Sequence, residues 1–304
     1  MMTLPRRIIW IALALAVVAA VVGFFVRPVD YYDGAMYLRE ALTGVHNSYV
    51  TIDGIRMHYL VAGPENGKPV VLVHGLGGRA EDWRNLAPRL ARAGYRVYMP
   101  DLPGFGRSER PANFSYSVRD QARIVIAFMD AMHLDRVDLG GWSMGGWIVQ
   151  LVAAEIPARI QRLMLFDSAG LHIIPDWDTR LFTPSNATEL AKLDALLMPH
   201  SPNVPGFVAR DILRVSHQDG WVMRHAMAAM LTGQDATDAL LPTLNMPVLL
   251  VWGELDRITP FTQGQTMLKL LPHAELYGVA GCGHLAPVQC SSQIAPKLLE
   301  FVNR

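Results

Sequence analysis

Ser143 sits in Gly141-Trp142-Ser143-Met144-Gly145, followed by Gly146. A serine hydroxyl is a weak nucleophile until a base removes its proton, and glycines two places to either side let a chain turn sharply and lift that hydroxyl clear. The segment before it, VDLGGW, reads as a strand and the one after it, GWIVQLVAA, as a helix. Ser143 therefore falls at a strand-to-helix turn, at a helix N-terminus whose dipole favours developing negative charge. The chemistry this allows is acyl transfer through a covalent intermediate, and it needs an imidazole and a carboxylate from elsewhere in the chain.

In a strand–turn–helix nucleophile of this kind the acid and then the histidine follow the serine. Asp256 lies just past the apolar strand MPVLLVWG, and His284 follows the next strand in Gly281-Cys282-Gly283-His284. Both fall at the carboxyl edge expected to form the ligand crevice of a parallel sheet. Asp167, at the end of LMLFD, shares that edge and is the rival acid, while Glu254 is read as structural. Among the other histidines, His273 precedes a strand at the wrong sheet end, His133 ends a helix, and His200, His217 and His225 lie in an insertion. Two amides are required for the oxyanion; Met144 supplies one, and Leu76, in His74-Gly75-Leu76-Gly77-Gly78, the other. His74 is expected to brace that loop and Asp101 to fix a turn.

The elements that must position these residues alternate along the chain. VTIDGIRMHYLVAG reads as a hairpin turning at Asp53-Gly54. After it, all-apolar strands such as VVLV alternate with helices such as RNLAPRLARAG and SVRDQARIVIAFMDAMHL, the pattern of a parallel sheet covered on both faces. The rhythm breaks from 171 to 241, where scattered prolines separate short amphipathic pieces, and this interval reads as a helical cap over the carboxyl edge. Trp142, Leu171, Met198 and Met227 are the candidate pocket residues, since methionine adapts to flexible apolar ligands. The other reading of the cap methionines is that they form its own core.

Composition narrows the rest. With 27 Lys+Arg against 27 Asp+Glu the 304-residue chain has no net charge, which argues against a nucleic-acid partner. An apolar fraction of 51% with 18% charged residues is that of a folded core. Two cysteines exclude a disulfide scaffold and a four-cysteine zinc site. No metal or organic cofactor is implied. Cys282 and Cys290 leave two alternatives: a free thiol two residues before His284, whose alkylation would displace that loop, or a disulfide closing a short loop.

Ile8 to Val26 carries no charge, follows Arg6 and Arg7, and as a helix would span about 28 Å, one bilayer core. Residues 1–27 are read as a retained signal anchor with a cytoplasmic N-terminus and the remaining chain outside the cytoplasm, the alternative being a cleaved signal peptide and a secreted enzyme. Residues 28–48, with Tyr31, Tyr32 and Tyr37, are read as a juxtamembrane linker. The core is then 49–170 and 242–304. A chain shortened to begin near Tyr49 is expected to be soluble and still to hydrolyse short esters.

In order, H-G-L-G-G, D-L-P-G-F-G-R-S, G-W-S-M-G-G, G-E-L-D-R and G-C-G-H resemble the α/β-hydrolase superfamily over roughly residues 49 to 304. The resemblance implies an α/β-hydrolase fold, a mostly parallel doubly wound sheet with a helical cap, and a triad of Ser143, Asp256 and His284. The apolar N-terminus, S-M-G-G and the Ser168-Ala169-Gly170-Leu171 cap opening resemble membrane-anchored monoacylglycerol lipases and bacterial lipases. The expected activity is thus serine carboxylic-ester hydrolysis of lipid-like acyl esters. S-M-G-G also occurs in carbon–carbon hydrolases of ring-cleavage products, which are the alternative.

Overall fold

The computed structural model describes residues 6–201 and 203–304; residues 1–5 of the expected anchor lie outside the described residues. Eight strands form one sheet: β1 (Val45–Ile52), β2 (Ile55–Ala62), β3 (Lys68–Val73), β4 (Tyr95–Pro100), β5 (Val137–Trp142), β6 (Ile160–Phe166), β7 (Val248–Gly253) and β8 (Ala274–Val279). Their spatial order is β1-β2-β4-β3-β5-β6-β7-β8. The β1–β2 and β2–β4 pairs are antiparallel and all others parallel. The hairpin turns at Asp53 and Gly54, both at positive φ, which matches the twist of the two strands. β1 begins at Val45, four residues ahead of the expected start of the core, because its register with β2 runs back to the Val45–Ala62 pair.

The continuous apolar strands are explained by helices on both faces. Side chains alternate along a strand, so Val71 and Val73 of β3 enter one core with α4 (Val118–Ala131) and α5 (Met144–Glu155). Val70 and Leu72 enter the other, together with α3 (Ala87–Arg92) and α10 (Ser291–Val302). The chain runs outward from β3 to β4 in one direction and from β5 to β8 in the other. The loops leaving β3 and β5 are therefore neighbours whose onward paths diverge, the arrangement that opens a crevice at the carboxyl edge.

Between β6 and β7 the chain forms α6 (Ala187–Leu197) and the long α7 (Gly206–Leu231), joined by irregular segments. Asn186 caps α6, accepting from the Glu189 amide at 3.0 Å, which fixes where that helix begins. After β7 come α8 (Phe261–Leu270) and, past β8, α9 (Ala286–Gln289).

The N-terminal region departs from the sequence expectation. α1 (Arg6–Val26) gives way at Arg27 to α2 (Pro28–Leu42), with Pro28 at the first helical position, where its missing N–H costs nothing. Among the described residues no single helix is long and apolar enough to cross a membrane. Only the bent pair Trp10–Val26 and Pro28–Leu42, meeting at 107°, has that length and hydropathy taken together. The apolar side chains of α1 point outward, Trp10 and Leu15 being 68% and 65% exposed. α2 is no loose linker: Glu40 is buried and Arg107 Nη2 lies 3.0 Å from both of its carboxylate oxygens.

Candidate active site

Ser143 is the residue between β5 and α5, with φ 55° and ψ −119°, a backbone region that non-glycine residues rarely occupy. The neighbouring glycines make it reachable. A Cβ on Gly145 would run into the carbonyl oxygens of Val73 and His74, and one on Gly141 into the carbonyl of Gly145. Strand and helix therefore approach more closely than any side chain would permit. The Ser143 amide donates to the Phe166 carbonyl at 2.9 Å, tying the turn to the neighbouring β6.

The structure brings Ser143, His284 and Asp256 together. His284 Nε2 lies 2.9 Å from Ser143 Oγ, and His284 Nδ1 lies 2.8 Å from Asp256 Oδ2. With Asp256 ionised, the Nδ1–H donates to it, which leaves Nε2 as the acceptor for the serine proton. Asp256 is itself fixed: its Oδ1 accepts from the amides of Ile258 at 2.7 Å and Thr259 at 3.0 Å. Trp142 Nε1 donates to the His284 carbonyl at 2.8 Å and so holds the histidine's backbone. None of the described polar contacts of His133, His200, His217, His225 or His273 involves Ser143.

Asp167 stands at the end of β6 with φ 42° and no exposed surface. Its Oδ1 accepts from the Gly253 amide at 2.7 Å, whereas Oδ2 has no partner among the described residues. Burial pushes its carboxyl well above the usual carboxylate range, and the neighbouring Asp256 charge pushes it further. Burial therefore disfavours the charged form of Asp167, and Asp256 is the carboxyl group that faces the imidazole. Thr259, absent from the sequence reading, stands between them, its Oγ1 2.8 Å from Asp256 Oδ2 and 3.0 Å from the Asp167 carbonyl oxygen. The signal was in the sequence: a threonine three residues after an aspartate is placed to close a local side-chain-to-backbone turn.

The oxyanion side is built by the loop after β3. Leu76 borders the cavity at Ser143, and its amide has no acceptor among the described residues. Met144 is the first residue of α5, so its N–H lacks an intrahelical partner. His74 Nδ1 lies 2.7 Å from the Gly75 carbonyl, and its Nε2 accepts from the Leu102 amide at 3.0 Å. Asp101 ties this loop to the next one, accepting from Ala80 N at 2.6 Å, Arg107 N at 2.8 Å and His58 Nδ1 at 2.8 Å. Burial would raise the Asp101 carboxyl, but these donors hold it below its ordinary range.

Two hollows meet at Ser143. The first, about 150 Å³, is lined mainly by apolar side chains, Leu171, Met227 and Met230 among them, with Trp147, Trp177 and Phe182 adding aromatic walls. The second, about 270 Å³, lies between Gly75–Gly78, Trp142, His284 and Leu197. Of the candidate pocket residues, Leu171 and Met227 border the first and Trp142 the second. Met198 borders neither, because it is the residue after α6 and its amide bonds back to Asp194, leaving Leu197 to face the site.

Cys282 and Cys290 are joined, closing the segment that carries His284 and α9. The free-thiol alternative, with its alkylation, is overturned by this bond. Unreduced protein is expected to titrate with no free thiols and reduced protein with two. Reduction should lower stability by about 2–3 kcal/mol, the chain-entropy value for so short a loop, and lower turnover several-fold by loosening His284. Two thiols counted before reductant is added would show that the bond is not formed.

A serine–histidine–carboxylate chain, open to the crevice at Ser143 and buried at His284 and Asp256, at the switch point of a mostly parallel sheet defines a hydrolase of the α/β type. The chain belongs to the alpha/beta hydrolase fold family, whose model matches residues 68–289. A solved membrane phospholipase A, described as a bacterial virulence factor, superposes with a TM-score of 0.84 at 28% identity, covering 98% of both chains. Lipase 1 of Psychrobacter immobilis is 26% identical over 270 residues, 84% of this chain and 83% of its own. The 2-hydroxymuconate semialdehyde hydrolase of Pseudomonas sp. strain CF600 is 28% identical over 250 residues, 78% of this chain and 87% of its own. The similar proteins thus include lipases, a phospholipase A and a semialdehyde hydrolase.

Proposed function

We propose that this chain is a serine carboxylic-ester hydrolase of the membrane surface that acts on lipid-like acyl esters, monoacylglycerols among them. The observation that carries this reading is the Ser143–His284–Asp256 chain opening into an apolar hollow. Ser143 Oγ attacks the acyl carbonyl as His284 Nε2 takes its proton, and the amides of Leu76 and Met144 stabilise the oxyanion. Collapse of the tetrahedral species breaks the bond to the alcohol, which leaves with the proton from His284. Water, deprotonated by the same imidazole, then attacks the acyl-enzyme and releases the carboxylic acid and Ser143.

The lining of the hollow favours an ester over the ring-cleavage alternative. A dienoate substrate carries a carboxylate that needs a cationic partner. The side chains able to hydrogen-bond around the first hollow are those of Ser143, Trp147, His172, Trp177, Thr259 and Gln263, with no lysine or arginine among the described lining residues. An acyl chain asks only for apolar contact.

The membrane part of the proposal rests on α1. A helix whose apolar side chains face outward is stable only where something apolar covers it, and lipid is the cover we assign. Arg6 and Arg7 before it support a cytoplasmic N-terminus with the catalytic residues beyond the membrane. Full-length protein is expected in the membrane fraction after high-salt and carbonate washes, hydrolysing monoacylglycerols faster than any dienoate. A faster dienoate cleavage would move the activity to carbon–carbon bonds. Protein recovered free outside the cell without residues 1–26 would show a cleaved signal instead.

A further inference from the structure

The loop that carries Leu76 is held differently on its two sides. On the inner side it is anchored by the protein core: Arg79 N donates to Asp82 Oδ2 at 2.9 Å, Gly78 N to the Gly75 carbonyl at 3.0 Å, and Ala80 N to Asp101. On the outer side the Met223 side chain of α7 touches Gly77, and little else packs there. Gly77, at φ +70°, and Gly78 border a hollow of about 430 Å³ whose far wall is α7 of the cap. Two consecutive glycines have no side chains with which to fix their own position, and one flexible methionine is a soft support.

What reaches the loop from outside is α2. Asp33 Oδ1 lies 2.6 Å from Arg79 Nη2, the residue directly after the two glycines, with both side chains about three-quarters buried. About two turns further on, Glu40 grips Arg107, whose guanidinium also pairs with Glu81 and lies 4.0 Å over the Tyr37 ring. Arg107 belongs to the loop that Asp101 joins to the Leu76 loop. At its other end α2 is tied to the cap, the Val29 amide donating to Asp211 Oδ2 of α7 at 3.0 Å. Partly buried, networked pairs of this kind hold geometry far better than isolated surface pairs do.

We infer that Asp33 and Glu40 are positioning residues for ester cleavage: through Arg79 and Arg107 they hold the Leu76 amide at the distance from Ser143 that the oxyanion requires. Seating of the membrane-proximal helix is thereby coupled to turnover. The inference rests on the serine-hydrolase reading above. It also implies that a chain beginning near Tyr49, expected still to hydrolyse short esters, does so at a lowered kcat, because it lacks both carboxylates as well as the first residues of β1.

The test uses full-length protein in detergent, a soluble short ester (p-nitrophenyl butyrate) and a fluorophosphonate, whose attack on Ser143 develops charge in the same oxyanion site. Asp33→Asn combined with Glu40→Gln is expected to lower kcat about tenfold or more with KM within twofold, and to slow phosphonylation in the same proportion. Asp33→Glu, which restores the charge, should recover most of the rate in the Asp33 single-site comparison. Arg39→Gln, on the same helix and hydrogen-bonded among the described side chains to Asn85 alone, should behave as wild type. Rates are referred to sites titrated by the phosphonate at completion, so unfolded protein does not count. A kcat per titrated site within twofold of wild type in the double variant, or a rise in KM at constant kcat, overturns the inference. Hydrolysis undiminished in Ser143→Ala would overturn the reading beneath it, which separates the two failures.

Discussion

Ser143→Ala and His284→Ala are each expected to lower ester turnover by about 10⁶-fold and to abolish covalent labelling by fluorophosphonates. The size follows from how the two residues act as one unit. Without Oγ there is no atom to form the acyl-enzyme, and without the imidazole 2.9 Å away the hydroxyl keeps its proton at neutral pH. Losses of this kind do not add, so the double variant should be no slower than either single one. Ser143 is held at the β5–α5 turn, and the His284 turn is closed by the Cys282–Cys290 bond and by Trp142, so the variants should melt close to wild type. Labelling of the Ser143→Ala protein at wild-type rate would place the nucleophile elsewhere.

Asp256→Asn should cost about 10⁴-fold, because an amide in place of the carboxylate favours the wrong imidazole tautomer and no longer balances the imidazolium that forms in the transition state. Asp167→Asn is expected to stay within a few-fold of wild type. The asparagine oxygen can still accept from the Gly253 amide, and its NH₂ group occupies the position of a carboxyl oxygen that has no partner. The same substitution carries a pH signature. Burial and the Asp256 charge raise the Asp167 carboxyl in the folded protein above its unfolded value. Its stabilising contribution is thus complete below the unfolded value and declines as pH rises, since the unfolded chain then releases a proton that the folded one keeps. Asp167→Asn should therefore gain thermal stability over wild type at neutral pH, with the gap closing below about pH 4. If Asp167→Asn loses the activity that Asp256→Asn retains, the working acid stands at the end of β6.

The portion of this arrangement legible in the sequence is the portion set by neighbours along the chain. A nucleophile turn is a strand, two spaced glycines and a helix within about ten residues, so its parts announce one another. The hairpin at Asp53-Gly54 and the apolar strands covered on both faces are equally local, since a periodicity of two or an unbroken apolar run records how many faces are buried. Chain order was enough to nominate Asp256 and His284, because consecutive parallel strands deliver their loops to the same edge.

What tertiary structure decided are the contacts between segments far apart in sequence. Asp167 and Asp256 are both buried aspartates just past apolar strands; only the packing of β6 beside β7 turns one to the Gly253 amide and the other to the imidazole. Met198 and Leu197 are adjacent and both apolar, and the geometry at the end of α6 determines which faces Ser143. α2 shows the limit most directly. Its tyrosines and charges read as a tether, since an exposed amphipathic helix and one docked through ion pairs have the same composition. Asp33 lies 46 residues from Arg79, and Glu40 lies 67 from Arg107. Pairing across such distances is set by where the sheet places the two arginine loops, a quantity to which no local pattern of residues responds.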